Sequence, residues 1–285
     1  MTSVRARLVR VANVMIQSVR PSLSGVRAKI ARAKHHSDYV ETAIKRVLGS
    51  KVKMRLPPQQ FQADREPLIL KSPKPEPLDA ALPLAIGDCV HNLRSALDHL
   101  AFQLAGLIGK SAEAETKIAF PICLTARDFR AAVRQKVKPF ISPAALAAIK
   151  EVQPYATENL RADAVLWILS QLDIIDKHRL IVVVEQQLRP IGVTVKVHSG
   201  ERFEFGVPDS KWKPLKDGTE IIRLDLSRAI NTPGKVRVNV QTLARVQLSD
   251  TGLMCDGHPV QETLSECHRV VSFIVDDFGK KFFGE

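Results

Sequence analysis

The sequence predicts an α+β protein: an N-terminal helical bundle, an antiparallel β-sheet after it, and a closing C-terminal helix. Three observations carry this. Apolar residues recur at helical spacing in long stretches as far as His178, the period switches to two between about Leu180 and Leu248, and helical spacing returns from Pro259. Strands do not alternate with helices, which argues against a doubly wound or barrel α/β fold.

Residues 1–24 carry Arg5, Arg7, Arg10 and Arg20 and no acid, with Val4, Leu8, Val11 and Met15 on one helical face. They read as a basic flexible or amphipathic extension, with an organelle transit peptide as the alternative. Val26, Ile30, Ala33, Ser37, Val40, Ile44 and Val47 then repeat at alternating steps of four and three, the pattern of a packed amphipathic helix. Gly49 stands where a C-cap glycine belongs, and His35 and His36 are expected on the outer face.

Seven of the 17 prolines lie between Pro57 and Pro83, which excludes a long helix there. Within this connector, Lys51–Leu56 and Pro67–Leu70 are expected to form a short edge hairpin. A second helix follows over about Pro83–Ile108, then a short extended piece at Lys117–Cys123. Thr125, with Asp128 three residues on, reads as an N-cap box opening a helix over Ala126–Val137. Ser142-Pro143 opens another, with proline in the first turn. A long helix covers Arg161–His178.

Leu180–Glu185, Gly192–His198, Arg202–Val207, Glu220–Leu226 and Lys235–Leu248 read as strands, and short polar turns favour antiparallel pairing. The last helix spans about Pro259–Phe278. In linear order the organisation is an extension at 1–24, a helical bundle at 25–178 with its proline-rich connector at about 50–83, and a sheet with a terminal helix at 179–285.

Composition narrows the function classes. The 285 residues are 45% apolar and 25% charged, enough to bury a core and unlike a disordered chain. Uncharged apolar runs such as Leu180–Val184 fall far short of the ~18 residues a helical membrane span needs. The net charge of +12 is concentrated at one end: residues 1–56 hold 13 Lys/Arg against Asp38 and Glu41, while the other 229 residues are nearly balanced. A local basic field favours polyanions such as RNA, and it also suits a merely solubilising extension. Cys89, Cys123, Cys255 and Cys267 form no CxxC pair, zinc spacing or disulfide framework, so a reducing cytoplasm is expected.

The second helix carries the chemistry. Val90, Leu93, Leu97, Leu100, Leu104 and Leu107 form an apolar stripe, and Asp88, Asn92, Ser95 and His99 form a polar one on the opposite side. Only Asp88, Arg94 and Asp98 are charged between Ala81 and Ile108, which suits a helix inside a bundle. Buried polar groups need partners, and Asp173, Asp176, Lys177, His178 and Arg179 offer them within two turns of the long helix. The expectation is that Asp88, Arg94 and His99 face Asp173, Asp176 and His178. Such a layer serves either as a structural hydrogen-bonded network or as an acid–base site for phosphodiester attack. A metal reading uses Asp88-x-x-His91 with oxygens from Asp173 and Asp176, but a di-iron bundle needs a second acid–His pair that the sequence lacks. No metal or cofactor is expected.

The stretch His91-Asn-Leu-Arg-Ser-Ala-Leu-Asp-His99 resembles the Arg-x4–6-His helix of the HEPN superfamily. That resemblance implies a helical, dimeric, metal-independent ribonuclease, of the kind found in toxin and phage-defence systems. It implies Arg94 and His99 as the catalytic pair and RNA as the substrate; in this reading Asp98, Asp176 and His178 are expected to support them. The segments Gly87–Leu100 and Leu172–Arg179 also resemble a widespread group of bacterial proteins of unknown function, which implies a layout for residues 25–285 and no activity. The rival reading is a non-catalytic scaffold or ligand-binding protein. In it, Trp212 between Lys211 and Lys213 stacks on a ligand or caps the sheet. GxSxG, Walker and GxGxxG motifs are absent, and Asp277-Phe-Gly lacks every companion motif of a kinase.

Overall fold

A computed structural model of the protein describes residues 20–48, 52–55, 59–61, 67–72, 74, 76–110, 114, 117–156, 160–179, 184–207, 211–225, 234–249, 252–253 and 255–285. Residues 1–19 of the extension expected at 1–24, the Gly49 cap and the apolar Leu180–Val183 lie outside them. The fold is α+β. Its elements are α1 (Ser24–Leu48), β1 (Val52–Arg55), β2 (Gln59–Phe61), β3 (Leu68–Lys71), α2 (Ala81–Gly106), α3 (Ala126–Lys136), α4 (Pro143–Glu151) and α5 (Leu160–Arg179). After these come β4 (Val184–Val197), β5 (Arg202–Gly206), β6 (Lys213–Pro214), β7 (Glu220–Leu224), β8 (Gly234–Leu248) and α6 (Val260–Phe278), closed by a π-turn over Gly279–Phe283.

Local chemistry sets the helix starts. Thr125 Oγ1 accepts the Asp128 backbone N–H at 3.1 Å, and Ser142 Oγ accepts that of Ala145 at 3.2 Å, so both N-caps form as expected. The apolar stripe of α2 is fully buried from Val90 to Leu104, but Leu107 is 43% exposed because the helix ends at Gly106.

The chain makes two compact units, and α1, α2, α5 and α6 each contribute to both. One unit holds residues up to Arg32, Asn92–Ser170 and Cys267–Glu285. Its core includes Leu93, Leu97, Leu100, Phe120 and Phe278, the two rings meeting edge-on at 6.5 Å between centroids. The expected extended piece opens on a turn, with Lys117 N and Ile118 N donating to Ala114 O, and residues 118–123 join no strand among the described residues. Side chains satisfy the backbone instead: Arg94 Nη2 donates to Phe120 O at 2.8 Å, and Asp98 Oδ1 accepts from Phe120 N at 2.8 Å. The buried Gln153 accepts from Cys123 N at 3.0 Å and donates to Pro121 O at 2.8 Å.

The other unit, Ala33–His91 and Gln171–Glu266, contains the sheet. The antiparallel path runs β1–β8–β4–β5, with β2 also on β8 and β6 also on β4. The expected hairpin between Lys51–Leu56 and Pro67–Leu70 does not form. Val52–Arg55 pairs with Asn239–Thr242 and Gln59–Phe61 with Gly234–Val236, so β1 and β2 take successive lengths of one edge of β8. β3 pairs with β7 instead. A 15-residue strand whose other edge is filled by β4 leaves a long row of unpaired N–H and C=O groups, and the connector supplies their partners. The two expected strands around 180–198 are one strand across residues 184–197. Pro190, which lacks an N–H, stands at the bulge between Pro190 and Gly192, outside the stretches paired with β5 and β6. Leu188, Val193, Val195, Ile221, Val236, Val238 and Val240 form the buried sheet core.

Candidate functional site

The residues singled out in the sequence fall into two groups, one in each unit. In the first, Arg94 lies one helical turn before Asp98, and their side chains meet at 2.9 Å. With Nη2 on Phe120 O, the Arg94 guanidinium bridges Asp98 and that carbonyl; its side chain is 14% exposed, and its buried Nη1 meets Asp98 as an ion pair without hydrogen-bond geometry. Arg94 and Asp98 clamp the 117–123 segment. His99 is exposed, and partial desolvation together with the charge of Lys29 holds its pKa below the ordinary histidine value. It is therefore a neutral base near pH 7.

The second group is assembled by α1, α2 and α5. Asp173 is buried, with a side chain 5% exposed, and it faces two half-exposed partners. His91 Nδ1 lies 3.1 Å from its Oδ1, and Lys177 Nζ lies 2.6 Å from its Oδ2. An ionised carboxylate only accepts, so the His91–Asp173 bond requires a proton on Nδ1 and leaves the Nε2 lone pair free in the neutral ring. Asp176, one turn on from Asp173, is pushed above the usual carboxylate range by burial and by the charges of Asp173 and Asp88, with His91 and Lys177 acting the other way. Its carboxylate packs against Gly87: a Cβ there would stand 2.1 Å from Asp176 Oδ1.

His36 was expected on the outer face of α1. Its side chain is only 14% exposed, with Nδ1 3.8 Å from Asp88 Oδ2. His35 is exposed as expected.

Of the five candidate catalytic residues, Arg94 and Asp98 are paired with each other, and His99 stands next to Asp98 in the chain. Asp176 belongs to the second group. His178 is exposed and makes no hydrogen bond or ion pair among the described residues. The histidine that meets the α5 carboxylates is His91 rather than His99. Its signal was the Asp88-x-x-His91 spacing, which puts it on the polar side of α2 one turn after Asp88. Among the described residues, no group of three His, Cys, Asp or Glu side chains is arranged to hold a metal ion. All four cysteines are buried and form no disulfide, and desolvation with the charge of Asp38 pushes the Cys89 thiol up to about 12, which leaves it unreactive. None of the described helices is long and apolar enough to cross a membrane.

No family model matches the chain, and neither does any curated protein or any solved structure.

Proposed function

We propose that this protein is a metal-independent ribonuclease whose reactive group is the His91–Asp173 dyad. The observation that carries the reading is the 3.1 Å approach of a half-exposed imidazole to a buried carboxylate. That arrangement holds one ring tautomer and one orientation, the requirement for general base catalysis. His91 Nε2 takes the proton of a ribose 2′-hydroxyl, the 2′-oxygen attacks the adjacent phosphorus, and the 5′-oxygen leaves with a proton from the enzyme. Lys177 supplies positive charge beside the dyad. RNA as the substrate is supported by the resemblance of His91–His99 to the HEPN helix and by the basic residues of positions 1–56. The same resemblance supports a homodimer.

The test is cleavage of single-stranded RNA by the full chain in EDTA. Cleavage leaving a 2′,3′-cyclic phosphate is expected, with a loss of about 10²-fold or more in His91→Gln and unchanged thermal unfolding. No cleavage by the wild type, or full activity in His91→Gln, overturns the reading. Loss in His99→Gln alone moves the chemistry to the Arg94–His99 pair. Light scattering checks the dimer, expected at twice 31.6 kDa.

A second reading is favoured by the Arg94–Asp98–Phe120 clamp: a non-catalytic scaffold whose polar groups hold the fold. In that case Arg94→Gln costs about 1–3 kcal/mol in urea unfolding and the wild type cuts no RNA.

A further inference from the structure

The polar face of the sheet holds a second concentration of unsatisfied charge. Register places Gln187 opposite Arg245 and Arg189 opposite Leu243, so Arg189 on β4 and Arg245 on β8 are diagonal neighbours on one face. Trp212, just before β6, gathers both: the guanidinium carbon of Arg245 lies 4.1 Å from the indole centroid and that of Arg189 lies 5.3 Å from it. One aromatic ring therefore draws together two like charges.

The described carboxylates of this face make no ion pair with them. Glu185 Oε2 accepts from the Gln187 and Gln247 amides at 2.7 and 3.4 Å. Among the described residues, Arg245 Nη2 donates to the Gln247 amide oxygen, at 2.9 Å, and to no carboxylate. Glu262 acts on Arg245 through charge alone, and burial together with Arg189 holds Arg245 below its ordinary pKa. Arg189 makes no ion pair with any described residue, and the Nε of each arginine is buried with no hydrogen-bond partner among the described residues. A buried donor without an acceptor is destabilising, and so is an unneutralised pair of guanidiniums. An anion held by both guanidiniums removes the second of these defects.

We propose that Arg189, Arg245 and Trp212 form a binding site for a phosphate group, taken as the free ion or as the phosphate of a nucleoside monophosphate. A tetrahedral dianion offers acceptors to two guanidinium forks and matches their combined charge. A single carboxylate, with one charge, leaves one arginine unneutralised. This site is separate in its residues from the His91–Asp173 dyad and does not rest on the ribonuclease reading.

Tryptophan fluorescence tests it. The sequence has two tryptophans, so Trp167→Phe leaves Trp212 as the sole reporter. The full chain is titrated with inorganic phosphate, AMP, adenosine and, at matched ionic strength, chloride. A saturable change with phosphate or AMP, absent with adenosine and chloride and weakened at least tenfold by Arg189→Gln, is expected. Equal affinities for phosphate and AMP identify the free ion, and tighter AMP identifies a nucleotide. Should Trp167→Phe fail to fold, calorimetric titration of wild type and Arg189→Gln gives the same comparison. No saturable binding, an equal response to chloride, or undiminished binding by Arg189→Gln overturns the proposal.

Discussion

Asp173 and His91 meet with the carboxylate almost wholly buried and the imidazole half in solvent, at 3.1 Å. The asymmetry of burial makes a prediction. His91 and Lys177 can turn to water when Asp173 is neutralised, whereas Asp173 cannot when they are removed. The double variant His91→Ala/Lys177→Ala is expected to lose about 3 kcal/mol in urea unfolding, because it strands a buried charge. Asp173→Asn is expected to lose less. The reverse order would mean that the carboxylate gains more from its partners than its burial costs.

Gly87 admits Asp176. Gly87→Ala puts a Cβ 2.1 Å from Oδ1 and 2.6 Å from Cγ of Asp176, too close for the short aspartate side chain to stay in place. A loss of about 1–3 kcal/mol is expected, despite the better helix propensity of alanine. Adding Asp176→Ala should return the stability. A Gly87→Ala/Asp176→Ala protein no more stable than Gly87→Ala alone would show that the clash is not with Asp176.

The raised pKa of Asp176 sets a pH dependence. Its carboxyl binds a proton more tightly in the folded chain than in the unfolded one. Between the unfolded value, near 3.9, and the raised folded value, the native state therefore holds more protons, and stability falls as pH rises through that window. Asp176→Asn lacks this term. Its stability relative to wild type should climb as pH rises above the ordinary aspartate range and level off once the folded carboxyl is ionised. Parallel curves for the two proteins in chemical denaturation at several pH values would refute the assignment.

Much of the fold was legible because it is written locally. Helix boundaries follow from apolar spacing and from caps three residues away, so Thr125 and Ser142 marked their helices correctly. The alternation of Val236, Val238 and Val240 marked β8 and its buried face. Pairing was less legible. Of the three connector strands, β1 and β3 were recognised and β2 was not, and hairpin logic joins neighbours in sequence. The long free edge of β8, which takes β1 and β2, exists only once β4 has filled the other side. The candidate site was partly legible for a similar reason. His91, His99 and Asp98 all lie on the polar side of α2, and spacing alone does not distinguish the histidine that meets a carboxylate from the one that meets water.

The sequence by itself determined the α+β class, the order of elements, the polar side of α2 and the concentration of carboxylates on α5. Each depends on residues within a few positions of one another. The tertiary structure decided that Asp173 takes His91, 82 residues away, that Arg94 is committed to Asp98 and Phe120, and that Arg189 and Arg245 share one indole. Those pairings depend on where helices and strands come together, and that is set by close packing of the whole core rather than by any local run of residues.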